Sequence, residues 1–195
     1  MHVLSRVPPR WLSTIFARSS PEYTAVRHSQ RLTGHLDQRV DVTATNVDDF
    51  DHDSHLRRTF ELAREAAERG DEPFGSVLVR DDEIVMTDSN REVTEDDIRR
   101  HPELHLAYRA CRELDPDERA ETVMYTSTEP CPMCAGGMAR AGFDRVVYSV
   151  GSDEIAEFTG DAPSVRSAEI LAGVTDVVGP VLNDEGRRVH EEFDW

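Results

Sequence analysis

Five stretches rich in β-branched and aromatic residues alternate with stretches of helical periodicity, and charged or glycine-containing turns separate them; this pattern predicts an α/β layer fold. At 195 residues the chain has room for one domain plus appendages. No segment approaches the ~18 consecutive apolar residues that cross a bilayer, so a membrane-spanning protein is excluded.

The elements follow in order. Leu56, Phe60, Ala63 and Ala67 recur at helical spacing with Arg and Glu between them, a helix that begins at Asp53 and ends at Gly70. Residues 73–80 and 83–90 read as a hairpin around the Asp81-Asp82 turn, and residues 91–100, polar throughout, as a loop. Residues 101–114 are helical, with Pro102 in the first position, where its missing N–H costs nothing. A strand at 122–126, a loop entering a helix over 129–142 and a strand at 144–150 come next. A charged loop, a short helix over 167–173, a strand over 175–179 and a last helix from Pro180 to Glu192 complete the chain. Cys111 is expected in the core, on the side of Leu104, Ala107 and Leu114.

Composition divides the chain near Asp41. Residues 1–40 carry six arginines against Glu22 and Asp37, whereas the whole chain has a formal charge of −17. We expect residues 1–45 to be a disordered extension or the product of a start assigned too far upstream, and residues 46–195 to form the functional domain. All 22 basic residues are arginine, and 39 are acidic. Such a surface suits concentrated salt, where carboxylates hold water; a melting temperature equal in low and molar salt would exclude this adaptation. The same charge repels phosphate backbones, so nucleic acid is a disfavoured partner. The acidic runs at Asp48-Asp49, Glu95-Asp96-Asp97 and Glu191-Glu192 lack the spacing and central glycine of calcium loops and read as solvated surface.

Three cysteines cannot build a disulfide framework, and two of them stand as Cys131-Pro132-Met133-Cys134. With His101 they make a donor set known for catalytic zinc, three protein ligands with a fourth position left open. Cys131 and Cys134 share a face at a helix start, whose dipole favours thiolates. Glu103 is two residues from His101 and faces the same cavity only if the backbone is still entering its helix there. A carboxylate so placed stands beside the metal without binding it, free to carry a proton from water to a ring nitrogen.

His-x-Glu followed by Pro-Cys-x-x-Cys resembles the signature of zinc deaminases of nucleobases. Over residues 50–160 the chain is similar to the cytidine-deaminase-like superfamily, and residues 125–134 and 72–79 are most similar to its guanine deaminase and nucleoside deaminase branch. The resemblance implies a three-layer α/β/α sandwich with a mixed sheet of about five strands. It implies zinc held by His101, Cys131 and Cys134, Glu103 as the catalytic proton carrier, and Asn90 as a hydrogen-bonding partner of the base. Phe74 and Glu129 match positions lining the pocket or its rim. Related proteins close the pocket with the carboxyl-terminal segment, sometimes a partner's, so Asp194 and Trp195 become candidate substrate contacts and a homodimer is expected. A cytoplasmic enzyme of purine metabolism is the corresponding expectation. Pro102 departs from the alanine common in the motif. His105-Leu106-Ala107 offers a second histidine before the cysteines but lacks the glutamate.

The expected reaction is hydrolytic deamination of a small base or nucleoside, guanine-like, with release of ammonia. Two alternatives stand beside it. A tRNA adenosine deaminase shares similar motifs but needs a cationic surface, and residues 186–195 offer only Arg187 and Arg188 before turning acidic. A zinc-stabilised binding module without activity would have no use for Glu103.

Overall fold

The computed structural model describes residues 47–195; the expected extension over residues 1–45 and the first residue of the expected domain lie outside the described residues. Helix α1 (His52–Arg69) starts where the Asp51 carboxylate accepts the Ser54 N–H and stops at Gly70, whose φ of 91° is open to glycine at little cost. Its buried face is wider than the expected stripe, because Leu62 and Ala66 join Leu56, Phe60 and Ala63. Strands β1 (Gly75–Arg80) and β2 (Glu83–Ser89) form the expected hairpin. Asp81 and Asp82 both have positive φ, the geometry of a two-residue turn that matches the strand twist. The Asp82 carboxylate accepts the Asp51 N–H at 3.0 Å and lies 2.7 Å from His55 Nε2, fastening the hairpin tip to the start of α1.

The expected loop over 91–100 contains α2 (Glu92–Glu95) and a 3-10 turn, Ile98–Arg100. Then come α3 (Pro102–Glu113), α4 (Pro116–Ala120), β3 (Val123–Thr128), α5 (Pro132–Ala141) and β4 (Arg145–Val150). The expected charged loop after β4 opens with a further helix, α6 (Ser152–Thr159). Helix α7 (Ser167–Leu171), strand β5 (Asp176–Val178) and helix α8 (Asn183–Glu191) end the chain. Cys111 corrects one expectation: it is exposed. The buried face of α3 is Pro102, Glu103, Leu106, Ala107 and Ala110, and the next residue lies a further 100° around the helix.

The sheet order is β2-β1-β3-β4-β5, antiparallel across β2-β1-β3 and parallel across β3-β4-β5. Every residue of β3 is buried, and alternate side chains go to opposite faces. Met124 packs with Leu106, Ala135, Met138 and Leu171 from α3, α5 and α7, while Val123 and Tyr125 pack with Leu56, Phe60 and Val189 from α1 and α8. Two cores on one mixed five-strand sheet make the three-layer sandwich.

Candidate active site

Two helix starts meet at the carboxyl end of the parallel strands, the region where open α/β sheets leave a crevice. His101 and Cys131 are the N-caps of α3 and α5, and each precedes a proline. A residue before proline is pushed out of the helical region, so both stay extended, with ψ of 129° and 164°. Pro102 thus supports the turn that brings His101 and Glu103 to one cavity. His101 Nδ1 lies 3.9 Å from Cys131 Sγ and 3.6 Å from Cys134 Sγ, and the sulfurs are 3.5 Å apart. Tetrahedral bonds of about 2.3 Å to sulfur and 2.0–2.1 Å to nitrogen require donor separations of roughly 3.4–3.8 Å, so the trio fits a zinc ion with little adjustment. His105 is not part of it: its ring meets the Asp88 carboxylate and Arg100.

The other nitrogen of His101, Nε2, lies 2.5 Å from the Glu92 carboxylate, which turns Nδ1 towards the cysteines. Glu92 is in turn placed by Asn90, whose side-chain oxygen accepts the Glu92 N–H at 2.8 Å. Burial works against a charged imidazole, yet Cys131, Glu103 and Glu92 push the His101 pKa up to about 9. The Cys134 thiol, against burial and together with His101, brings Cys131 down to about 4; Cys131 and burial send Cys134 well above the usual thiol range.

Glu103 is buried on the sheet side of this trio. Its Oε1 accepts from Thr126 Oγ1 at 2.8 Å and from Ser76 Oγ at 3.2 Å, two residues that face each other across β1 and β3. Burial raises its pKa, with the His101 charge pulling the other way. A carboxyl group held in one orientation and made more basic is suited to taking up and returning a proton.

His101, Glu103 and Cys131 open on a cavity of about 630 Å3. Phe74 lines it, and so does the half-buried Glu72. Burial raises the Glu72 pKa, as does neighbouring Glu92, while His101 lowers it. Residues 152–164 supply the far wall, from Ser152 and Ile155 on α6 to Asp161 and Ser164 beyond it. Glu129 also borders the cavity, but its carboxylate is committed elsewhere. It accepts from the backbone and hydroxyl of Ser152, from the backbone and hydroxyl of Ser167, and from Arg166. Burial opposes its charge, but Arg166 and the two serines hold it below the usual carboxylate range.

Asn90 is fully buried beside the site, its N–H bonded to the Phe74 carbonyl; its side-chain Nδ2 has no partner among the described residues. It does not line the cavity, and neither do Asp194 and Trp195. Asp194 is exposed. Trp195 folds back so that its indole N–H donates to the His190 carbonyl and its ring packs on Phe74, with centroids 6.0 Å apart. Glu92, Ser76, Thr126 and Glu72 escaped the sequence reading, since a lone Glu, Ser or Thr carries no motif.

The sequence and the fold have known counterparts. A protein of Schizosaccharomyces pombe described as a probable cytosine deaminase is 30% identical over 152 residues, covering 72% of this chain and 90% of its own. Guanine deaminase of Bacillus subtilis is 34% identical over 109 residues, 55% of this chain and 70% of its own. The tRNA-specific adenosine deaminase of the same organism is 29% identical over 131 residues, 67% and 81% respectively. Among solved structures, a guanine deaminase from Nitrosomonas europaea superposes with a TM-score of 0.62 at 21% identity over 71% of this chain and 82% of its own, a likeness of fold. These relatives share deamination of a base and differ in which base. Residues 50–177 match the MafB19-like deaminase family, and the chain belongs to that family, within the cytidine-deaminase-like superfamily of nucleobase and nucleoside deaminases.

Proposed function

We propose that this protein is a zinc-dependent hydrolytic deaminase of a small, guanine-like base or nucleoside. The observation that supports it most is the His101, Cys131 and Cys134 trio with the Glu103 carboxyl beside it, at the inner end of one cavity. Zinc held by these three residues supplies a Lewis acid that brings the pKa of water to about 7. Glu103, steadied by Ser76 and Thr126, takes the proton from the attacking water, delivers it to a ring nitrogen and then assists departure of ammonia. Glu92 holds the His101 ring in place throughout, and Phe74 offers an aromatic face to the base.

The small-molecule branch is favoured over tRNA by charge. Glu72, Glu103, Glu129 and Asp161 line the cavity and no arginine does, so its wall offers a phosphate no guanidinium partner. The guanine deaminase of Bacillus subtilis supports a guanine-like substrate. The test is ammonia release from guanine, cytosine, adenine and their nucleosides, with zinc content measured in parallel. The expected result is turnover of one of these and a loss of at least about 100-fold in Glu103→Ala with zinc retained. Equal inertness of the wild type and Glu103→Ala, both carrying zinc, would favour the binding module. Inosine formed in a tRNA anticodon would overturn the small-molecule reading.

A further inference from the structure

We propose that Glu72 is a specificity-determining residue that accepts a hydrogen bond from a ring N–H of the bound base, which makes a free base with an unsubstituted N–H edge the preferred substrate. The inference rests on the deaminase reading above and extends it from reaction class to the substrate edge that is read.

The carboxylates around the cavity differ in what they are bonded to. Glu103 is held by Ser76 and Thr126, and Glu129 by Arg166 and two serines. Asp161 is exposed and solvated. Glu72 alone among these four is half-buried with no side-chain hydrogen bond or ion pair to any described residue. Taking a carboxylate partly out of water without a replacement donor is unfavourable, and a ligand that brings the donor recovers the loss.

Position decides which ligand atom that is. Glu72 lines the same cavity as His101, Glu103 and Cys131, the groups of the metal end. The reacting carbon must reach that end, so the groups around it meet atoms of the ring. Glu72 and Phe74 flank buried Pro73 and both line the cavity, one offering an edge acceptor and the other a ring face. Nucleobases of this reaction class are neutral and carry ring N–H donors that a carboxylate binds strongly. Methylation or glycosylation at the nitrogen concerned removes that donor.

The test uses the full-length zinc-loaded protein, the base preferred in the ammonia panel and its ring N-methyl derivatives: 1-, 7- and 9-methylguanine, or 1-methylcytosine. Each is measured as kcat/KM in wild type, Glu72→Ala and Glu72→Gln, and as Kd in a Glu103→Ala background where turnover is suppressed. Glu72→Ala is expected to lower kcat/KM for the parent base about 10- to 100-fold, the size of a hydrogen bond to a charged group. Glu72→Gln, which keeps a carbonyl acceptor, should recover part of this. One methyl derivative should be poor already in wild type and indifferent to the substitution. An equal fall for every base, or no fall for any, overturns the proposal. Should wild type release no ammonia from any base, the deaminase reading fails by itself. The Kd values then decide on Glu72: a methyl penalty that disappears in the Glu72→Ala background supports it, and a penalty of unchanged size overturns it.

Discussion

Arg166 grips the Glu129 carboxylate with a fork, Nη2 to Oε2 at 2.6 Å and Nε to Oε1 at 3.2 Å. The same carboxylate takes Ser152 at one end of the cavity wall and Ser167 at the other, so one buried side chain closes a segment of sixteen residues on itself. Glu129→Ala takes the acceptor from both serines and leaves Arg166, a third exposed, paired with Asp153 alone, a loss of about 1–3 kcal/mol. We expect a corresponding loss in urea unfolding and a KM raised more than tenfold with zinc content unchanged. An unaltered KM would reduce Glu129 to a purely structural group.

Metal removal should cost stability as well as activity, because an ion bound only by the folded state shifts the unfolding equilibrium. Treatment with a strong chelator is expected to lower the melting temperature by several degrees, and added zinc to restore it. Cys131→Ser and Cys134→Ser should lose the metal in elemental analysis, whereas Cys111→Ser, at an exposed position, should keep it. Full zinc content in Cys134→Ser would remove the trio as the site.

His190 gives the stability a defined pH dependence. Burial and then the Arg187 charge lower its pKa to about 4, and its Nδ1 has no partner among the described residues. The folded protein therefore resists a proton that the unfolded chain binds near pH 6.5. The contribution is fully present above pH 6.5 and is lost as pH falls from there through about 4, with a slope of at most about 1.4 kcal/mol per pH unit. Urea unfolding at several pH values should show this slope reduced in His190→Gln, and an identical slope in both proteins would refute it.

The carboxyl terminus reaches the cavity only indirectly, through Trp195 resting on Phe74, which lines it. Deleting residues 193–195 uncovers Phe74 and the His190 ring, and the expected outcome is a several-fold rise in KM with little change in kcat. A KM equal to that of the intact chain would show that the tail has no part in holding the substrate.

Some elements were legible because their signals are local. The α1 stripe and its glycine stop, and the Asp81-Asp82 hairpin, follow from residue spacing and turn chemistry. Others were not. Helix α6 buries only Ser152 and Ile155, too few points to make a stripe, and its acidic residues read as loop. Glu92 lies in a polar stretch where one more carboxylate is no signal, yet it sets the His101 ring. Cys111 was misplaced because a face assigned by spacing blurs at its edge, and one residue further is another side of the helix.

By itself the sequence determined where α3 and α5 begin and which side chains stand at those points, because the steric conflict before Pro102 and Pro132 acts between neighbours. Only the tertiary structure decided that these two helix starts meet, that Glu103 finds Ser76 and Thr126, and that the Glu129 carboxylate is taken up by Arg166, Ser152 and Ser167. Those distances are set by strand order and by the packing of helices on both faces of the sheet, and residues far apart in the chain acquire them only when the whole sandwich forms.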